Sequence, residues 1–168
     1  MPNWCTNNTS FSHEDPEMIK RLKAAIDKEN LFEEFAPLPT SEWNYFDAVN
    51  EWGTKWEASH LDILDSDDTS ISLLYDTAWS PPTDFYDKMT KMGFTVESTY
   101  HEPGMAFAGH YSSKDGNSVY NYDFADENWR DDIDNDDVLD LLEAEYEIWS
   151  SMNEEWEDLE DENTKEND

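Results

Sequence analysis

The negative charge of this chain limits what it can fold into. The 168 residues include 42 acidic and 10 basic side chains, which gives a formal net charge of −32. A chain with so much like charge stays disordered unless buried apolar surface offsets the repulsion. Aromatic residues make up 14% of the sequence, and each buried ring removes roughly 150–250 Å² from water. The sequence therefore predicts a folded core beneath an acidic surface.

The charge is unevenly distributed and separates the chain into segments. Residues 1–125 contain 22 acidic and 8 basic side chains, whereas residues 126–168 contain 20 and 2. We predict a folded domain over 1–125, an acidic helical extension over 126–160 and a disordered tail over 161–168. Apolar residues recur every three or four positions from 134 to 159, which predicts one long helix with an apolar stripe. The stripe would pack on the sheet of the domain or pair with a second copy in a homodimer.

The first 125 residues alternate between strand and helix patterns. Their order is strand, helix, strand, strand, helix, strand, followed by two more strands. The first six elements match the order of the ferredoxin-like split βαβ fold. Right-handed crossovers then place the first strand between the third and the fourth. We predict an α+β fold: a ferredoxin-like βαββαβ sheet extended by two antiparallel strands, plus a long acidic C-terminal helix.

Local signals predict where several elements begin and end. Asn30 is expected to end the first helix in the left-handed conformation that asparagine tolerates. The connection over residues 31–58 is rich in aromatic residues, which indicates a lid packed on the core, with a short helix from about Tyr45 to Trp52. The last strand is expected over Ser118–Phe124.

Two tryptophans, Trp52 and Trp56, enclose a glycine, a threonine and a lysine. Gly53 allows a backbone conformation that other residues resist, so a tight turn is expected between the two aromatic anchors. With Trp79, these tryptophans would form an aromatic lid. The lid is either a cage for a base or a cation, or simply packing on the core. Lys55 is the one base among them and is expected to pair with a nearby carboxylate.

Five short stretches in register connect the chain to a known family. They are Met1–Cys5, Phe35–Pro39, Trp52–Trp56, Thr77–Pro82 and Glu102–Gly109. Through them the chain resembles the YubB-type ferredoxin-like domain family, small proteins of phages and plasmids without an established activity. The resemblance covers about residues 1–125 and implies the fold and a mobile-element origin. It implies no catalytic residues, and it leaves the acidic end as an elaboration outside the shared domain.

The sequence favours neither catalysis nor a metal site. Cys5 and the histidines lack the spacing of a zinc site, and neither a Ser–His–acid order nor a glycine-rich phosphate loop stands out. Five acidic residues fit a calcium-loop template, but its sixth position, normally glycine, is Asp137. They also suit a helix start, where negative charge is favourable. The five are Asp132, Asp134, Asp136, Asp140 and Glu143. We expect no enzyme, cofactor or metal.

Charge and hydropathy also limit location and partners. The N-terminus lacks the pattern of a signal peptide, and no apolar run approaches the ~20 residues that span a bilayer. We therefore expect a cytoplasmic protein, which the resemblance places in an infected bacterial host. Direct binding to nucleic acid or to an anionic membrane is disfavoured, because both require basic side chains. A basic protein is the favoured partner.

The charge density suggests a function. Duplex DNA carries one charge per about 1.7 Å, so 32 charges correspond to roughly 54 Å of duplex, against a span of about 40 Å for a compact domain of this length. We predict a phage-type DNA mimic that inhibits a host protein by occupying its basic nucleic-acid groove. The target would be a restriction, CRISPR or other defence factor, a polymerase or a nucleoid protein. The carboxylates expected to bind it are Asp131, Asp132, Asp134, Asp136, Asp137, Asp140, Glu143, Glu147, Glu154, Glu155, Glu157 and Asp158.

An alternative function uses the aromatic lid. In it, Trp52, Trp56 and Trp79 bind a small ligand or a peptide, and the acidic residues only keep the protein in solution. Tryptophan fluorescence distinguishes the two hypotheses, because mimicry of DNA predicts no response to a library of nucleotides.

Overall fold

The computed structural model of the protein describes the backbone of residues 1–165 and the side chains of residues 1–156. The chain divides into two compact units, Met1–Asn121 and the residues from Tyr122 onward. The division falls four residues before the boundary after residue 125 that the charge distribution suggested. The first unit contains the sheet, and the second is built around one long helix.

Over residues 1–121, the elements follow the order expected from the sequence. The strands are β1 (Trp4–Ser12), β2 (Ser59–Ser66), β3 (Ser70–Ala78), β4 (Thr95–Glu102), β5 (Phe107–Ser112) and β6 (Gly116–Asn121). The helices are α1 (Pro16–Asp27), α2 (Leu31–Phe35), α3 (Tyr45–Trp52) and α4 (Thr83–Lys91). The short helix α3 has the predicted bounds, and the aromatic connection also contains α2.

The six strands form one antiparallel sheet in the order β2-β3-β1-β4-β5-β6. In the central strand β1, Asn8 is opposite Leu74 of β3 on one side and Thr99 of β4 on the other. The first strand thus lies between the third and the fourth, and the last two strands continue beyond β4. The predicted ferredoxin-like sheet with two added antiparallel strands is confirmed.

The core lies on one face of the sheet. In β1, side chains alternate between buried and less buried positions, so Phe11 belongs to the core and Ser10 faces outward. Helices α1, α2 and α4 cover the buried face with Leu22, Phe32 and Phe85, each of which is inaccessible to solvent. Because the side chains of a strand alternate between the two faces, this one-sided pattern fixes the register of the sheet.

Four hydroxyl groups meet inside this core. The Thr9 hydroxyl lies 3.3 Å from that of Tyr75, 2.9 Å from that of Tyr86 and 2.8 Å from that of Ser98. The two tyrosine hydroxyls also bond to each other, and Tyr86 bonds to Ser98 at 3.1 Å. Burial raises the pKa of Tyr86 to about 12, so its hydroxyl stays protonated. The cluster ties β1, β3, β4 and α4 together.

The predicted end of the first helix is wrong by one residue. Glu29, with φ 57°, adopts the left-handed conformation, whereas Asn30 has φ −132° and precedes α2. The Asn30 N–H donates to the Ala25 carbonyl at 3.1 Å, and the Glu29 N–H donates to Ile26 at 3.0 Å. These two bonds form a Schellman motif, which places the left-handed residue directly after Lys28 whatever its side chain.

The last strand also differs from its prediction. β6 covers Gly116–Asn121 and not Ser118–Phe124. It begins earlier because Gly116, at φ 79°, makes the hairpin turn and pairs with Ser112 of β5. It ends earlier because Phe124 packs in an aromatic cluster of the second unit.

In the second unit, helix α5 extends over Asp136–Lys165, compared with the predicted range 134–159. Asn135 precedes it, and its side-chain oxygen accepts a hydrogen bond from the Val138 N–H at 3.1 Å. The helix continues into the segment 161–168 that was predicted to be a disordered tail. It contains no proline or glycine, and glutamate favours helix. Residues 166–168 lie outside the described residues.

We predict that Thr9→Val lowers the free energy of unfolding by about 1–3 kcal/mol, because it removes the hydroxyl that three buried groups share. Chemical denaturation measures the loss. Thr6→Val is the matched control: Thr6 is on the same strand but exposed, and its bond to Asp76 is at the surface. An equal loss in both variants would contradict a special role for the cluster.

Candidate functional site

Most of the acidic residues predicted to bind a partner are exposed. Nine have exposed side chains: Asp131, Asp132, Asp134, Asp136, Asp137, Asp140, Glu147, Glu154 and Glu155. The first three precede α5 and the others lie on it. Glu143 is partly buried, and the side chains of Glu157 and Asp158 lie outside the described residues.

Glu143 has a partner within the second unit. The Arg130 guanidinium donates to both of its carboxylate oxygens, from Nε to Oε1 and from Nη2 to Oε2 at 2.9 Å. The ion pair lowers the pKa of Glu143. One of the twelve predicted contacts is therefore already neutralised. The pair is a clamp between the loop that carries Arg130 and helix α5.

An aromatic cluster surrounds the Arg130 clamp. The Arg130 guanidinium lies 4.2 Å from the ring centroid of Trp129 and 4.8 Å from that of Tyr146. Phe124 contacts both rings, and Trp149 stacks on Tyr146 at 5.8 Å. These contacts support the N-terminal half of α5 on the loop before it.

The apolar stripe of α5 is only partly covered. Val138 and Leu142, near the start of the helix, are fully buried. Ile148, Met152 and Trp156 follow at intervals of four residues, and each is more than half exposed. Because residues four apart share one face of a helix, these three form an exposed ridge, which we call the apolar ridge. Exposed acidic residues, Glu147, Glu154 and Glu155, occur in the same part of the helix.

The three tryptophans of the predicted lid do not form one site. Trp52 is buried, and its indole N–H donates to the Ala36 carbonyl at 2.7 Å. Trp56 is 37% exposed, and the Lys55 ammonium lies 4.3 Å from the centroid of its ring. The side chain of Trp79 is also exposed, and the backbone N–H of Trp79 donates to the Asn3 carbonyl. Lys55, expected to pair with a carboxylate, thus lies on an aromatic ring instead.

The turn between Trp52 and Trp56 has the predicted form. Gly53 ends α3 in the left-handed conformation at φ 83°, and a Cβ there would lie 2.9 Å from Oδ2 of Asp84. The next residue, Thr54, is buried and donates to the Ala78 carbonyl at 2.9 Å. Ser80 donates to the Gly53 carbonyl at 2.6 Å. Two of the stretches that suggested the family resemblance therefore hold each other in place.

A pocket of about 670 Å³ opens beside Trp56 in the first unit. Trp52 and Trp56 line it together with Trp43, which is 48% exposed and donates its indole N–H to the Lys55 carbonyl at 3.0 Å. Trp79 is not among its lining residues. Trp43 belongs to the aromatic connection 31–58 but was not among the residues predicted for the lid, because it has no distinctive spacing from Trp52 and Trp56.

Glu57 contributes a carboxylate to this pocket and also caps α2. Its oxygens accept hydrogen bonds from the N–H groups of Phe32 at 2.6 Å and Glu33 at 3.2 Å. Burial raises the pKa of Glu57 to about 7, against the opposing effect of these donors. A carboxyl that titrates near neutral pH therefore lies in the wall of the pocket. The sequence offers no signal for it, because its partners are some 25 residues away.

The described residues were compared with the requirements of a metal site and of a membrane-spanning helix. Over those residues, no three His, Cys, Asp or Glu side chains converge as a metal ion would require, and this includes the residues of the calcium-loop template. No helix within the same range is both long and apolar enough to cross a membrane.

The comparisons with known proteins agree with this fold. A family model described as "Ferredoxin-like domain in Api92-like protein" matches residues 51–164. The match covers more than half of the chain, so the protein belongs to this family of Api92-like ferredoxin-like domains. The ferredoxin-like family expected from the five short stretches is confirmed, and three of those stretches lie within the matched residues.

One solved structure is similar to the chain. It is the crystal structure of a protein Api92 from Yersinia pseudotuberculosis, with 17% sequence identity and a TM-score of 0.37. The similarity covers 50% of this chain and 32% of that chain, so the matched half of the present protein corresponds to about a third of the length of Api92. No curated protein matches the sequence.

The range of the family match corrects one expectation. The acidic end was expected to lie outside the shared domain, but the match continues through α5 to residue 164. The helix is thus part of what the family shares. The family pattern thus continues past residue 125, where the charge composition changes.

We predict that Glu57→Gln becomes more stable relative to the wild type as the pH rises from about 4.5 to about 7. The folded-state pKa of Glu57 is raised, so the folded protein binds the proton more tightly and loses stability as that proton leaves. The unfolding free energy of the variant minus that of the wild type should increase by about 1–3 kcal/mol between pH 4.5 and a pH above 7. Denaturation at several pH values measures it, and a difference independent of pH would contradict the assignment.

Proposed function

We propose that the protein is an acidic DNA mimic, of YubB type and phage origin, that acts in the cytoplasm of an infected bacterium. It would inhibit a basic nucleic-acid-binding protein by occupying its groove, without catalysing a reaction itself. The observation that supports this most directly is the row of exposed carboxylates on α5 and on the loop before it.

The number of acidic residues per unit length of α5 resembles that of phosphates along a DNA strand. Thirteen acidic residues occur within the 30 residues of α5, which at 1.5 Å per residue is about 45 Å long. The average is about one charge per 3.5 Å, compared with 3.4 Å along one strand of B-DNA. The carboxylates of such a helix are expected to pair with the basic side chains of a groove that binds a phosphate backbone.

The acids have few cations of their own to pair with. From residue 122 onward the sequence contains two basic residues, Arg130 and Lys165. Arg130 is bound to Glu143, and the side chain of Lys165 lies outside the described residues. A net charge of about 2–8 is enough for solubility in a small domain, so the excess favours a function that requires charge.

The apolar ridge supports a protein as the partner. Exposed apolar side chains do not improve solubility, so a function limited to solubility does not explain the exposure of Ile148, Met152 and Trp156. Tryptophan is enriched among residues that dominate binding energy at protein interfaces. We therefore expect a target groove that combines lysines and arginines with an apolar patch. Suitable classes are restriction, CRISPR or other defence factors, polymerases and nucleoid proteins.

The test is displacement of labelled duplex DNA from purified proteins of these classes, after capture from a bacterial lysate at low salt has indicated candidates. The full chain should displace DNA from its target, and the effect should weaken steeply as salt is added. If no protein of these classes is captured and none releases DNA, the proposal is wrong.

A pair of charge-matched variants locates the effect. The triple variant Asp140→Asn, Glu147→Gln, Glu154→Gln removes three exposed charges on α5. Its control, Asp62→Asn, Asp65→Asn, Asp68→Asn, removes three exposed charges from the β2 hairpin. We predict that the helix variant displaces DNA at least about tenfold less effectively, whereas the control changes little. Equal effects would show that net charge acts without regard to position.

A further inference from the structure

The pocket beside Trp56 plays no part in the proposed function of the acidic helix. Its volume of about 670 Å³ is within the range of sites for small ligands. It lies where β2 begins with a register shift between Ser59 and Asp62, and His60 there has φ 50°. Irregular strand geometry of this kind is common beside binding sites.

The walls of the pocket are aromatic and held in position. Trp52 is fixed by its bond to Ala36, and the partly exposed Trp43 is fixed by its bond to Lys55. The ring of Trp56 packs 6.4 Å from that of Trp4. Indole faces attract cations, and the Lys55 ammonium 4.3 Å from the Trp56 centroid is an example within the chain itself.

The lining of the pocket contains two carboxylates, and the Lys55 ammonium lies beside it, over the Trp56 ring. Glu29 and Glu57 line the pocket, and the lining residues include neither lysine nor arginine. His60, which also lines it, is bonded to the Asp76 carboxylate at 3.0 Å. The lining carboxylates disfavour an anionic ligand, whereas a positively charged group would find both carboxylates and indole rings.

We infer that this pocket binds a small organic cation, an alkylammonium or guanidinium group on an apolar stem, with the stem against Trp43 and Trp56 and the charge beside Glu57. The same chemistry is available from a free amine or from a lysine or arginine side chain of a peptide. The inference is independent of the DNA-mimic proposal, because it uses residues of the first unit alone.

Binding of such a cation is linked to the proton of Glu57. The groups that face this carboxyl are the N–H groups of Phe32, Glu33 and Ala58 and the Glu33 carboxylate, with Glu29 and His60 lining the same pocket. A bound cation favours the ionised carboxylate. At pH 6, binding should therefore release up to about one proton, and at pH 8 almost none.

The test compares n-butylammonium and n-butylguanidinium with n-butanol and butanoate, using the full chain. Indole N–H resonances of Trp43 and Trp56 should shift with either cation, and that of Trp79 should not. Blocked tripeptides with a central lysine or arginine form the second arm. Tighter binding of the peptides would identify a partner's side chain as the ligand, and tighter binding of the free amines would identify a small molecule.

Variants and calorimetry complete the test. Trp56→Leu and Trp43→Leu should weaken binding at least about fivefold, whereas Trp79→Leu, an exposed tryptophan outside the pocket, should change it less than about twofold. Calorimetry in two buffers should detect the proton released at pH 6, and Glu57→Gln should abolish that release. Circular dichroism confirms that each variant is folded. Equal binding of n-butanol, or no binding of any cation at about 20 mM, would overturn the inference.

Discussion

The buried hydroxyl cluster around Thr9 is the constraint on which the first unit depends. A buried hydroxyl without a partner is costly, so β1, β3, β4 and α4 must meet in the one arrangement that brings Thr9, Tyr75, Tyr86 and Ser98 together. An apolar core of the same shape would tolerate a sliding strand more easily. The cluster thus holds β3 in place through Tyr75, and the last residue of β3, Ala78, accepts the Thr54 hydrogen bond that holds the turn at Gly53.

That turn connects the core to the pocket. Hydrogen bonds from the hydroxyls of Thr54 and Ser80 join the turn to the end of β3 and the residues after it. Gly53 adopts the left-handed conformation that ends α3. As a result, Trp52 points into the core while Trp56 and Glu57 reach the pocket. The carboxylate of Glu57 then caps α2, so one segment joins the aromatic wall to the start of a helix.

The sequence predicted the fold far better than the site. Alternating strands and periodic helices lead directly to the ferredoxin-like order, because each pattern reflects which face is buried. The lid prediction was less accurate, because an aromatic residue type does not reveal whether a ring is core or surface, as Trp52 and Trp79 illustrate. Glu57 acquires its role from hydrogen bonds to the backbone of another segment, the N–H groups of Phe32 and Glu33. No local spacing encodes such bonds, and the same holds for the Arg130–Glu143 clamp.

The like charges of α5 make ionic strength act in two opposite directions. Asp136 and Asp140 are four residues apart, and such a like-charge pair destabilises a helix by about 0.2–0.5 kcal/mol when unscreened. Added salt screens this strain and favours the helical form, whereas the same salt weakens attraction to any basic surface. Because the helix strain amounts to only about 0.2–0.5 kcal/mol per pair, the loss of attraction dominates as salt is added, and a polycation that binds α5 would also favour the helical form.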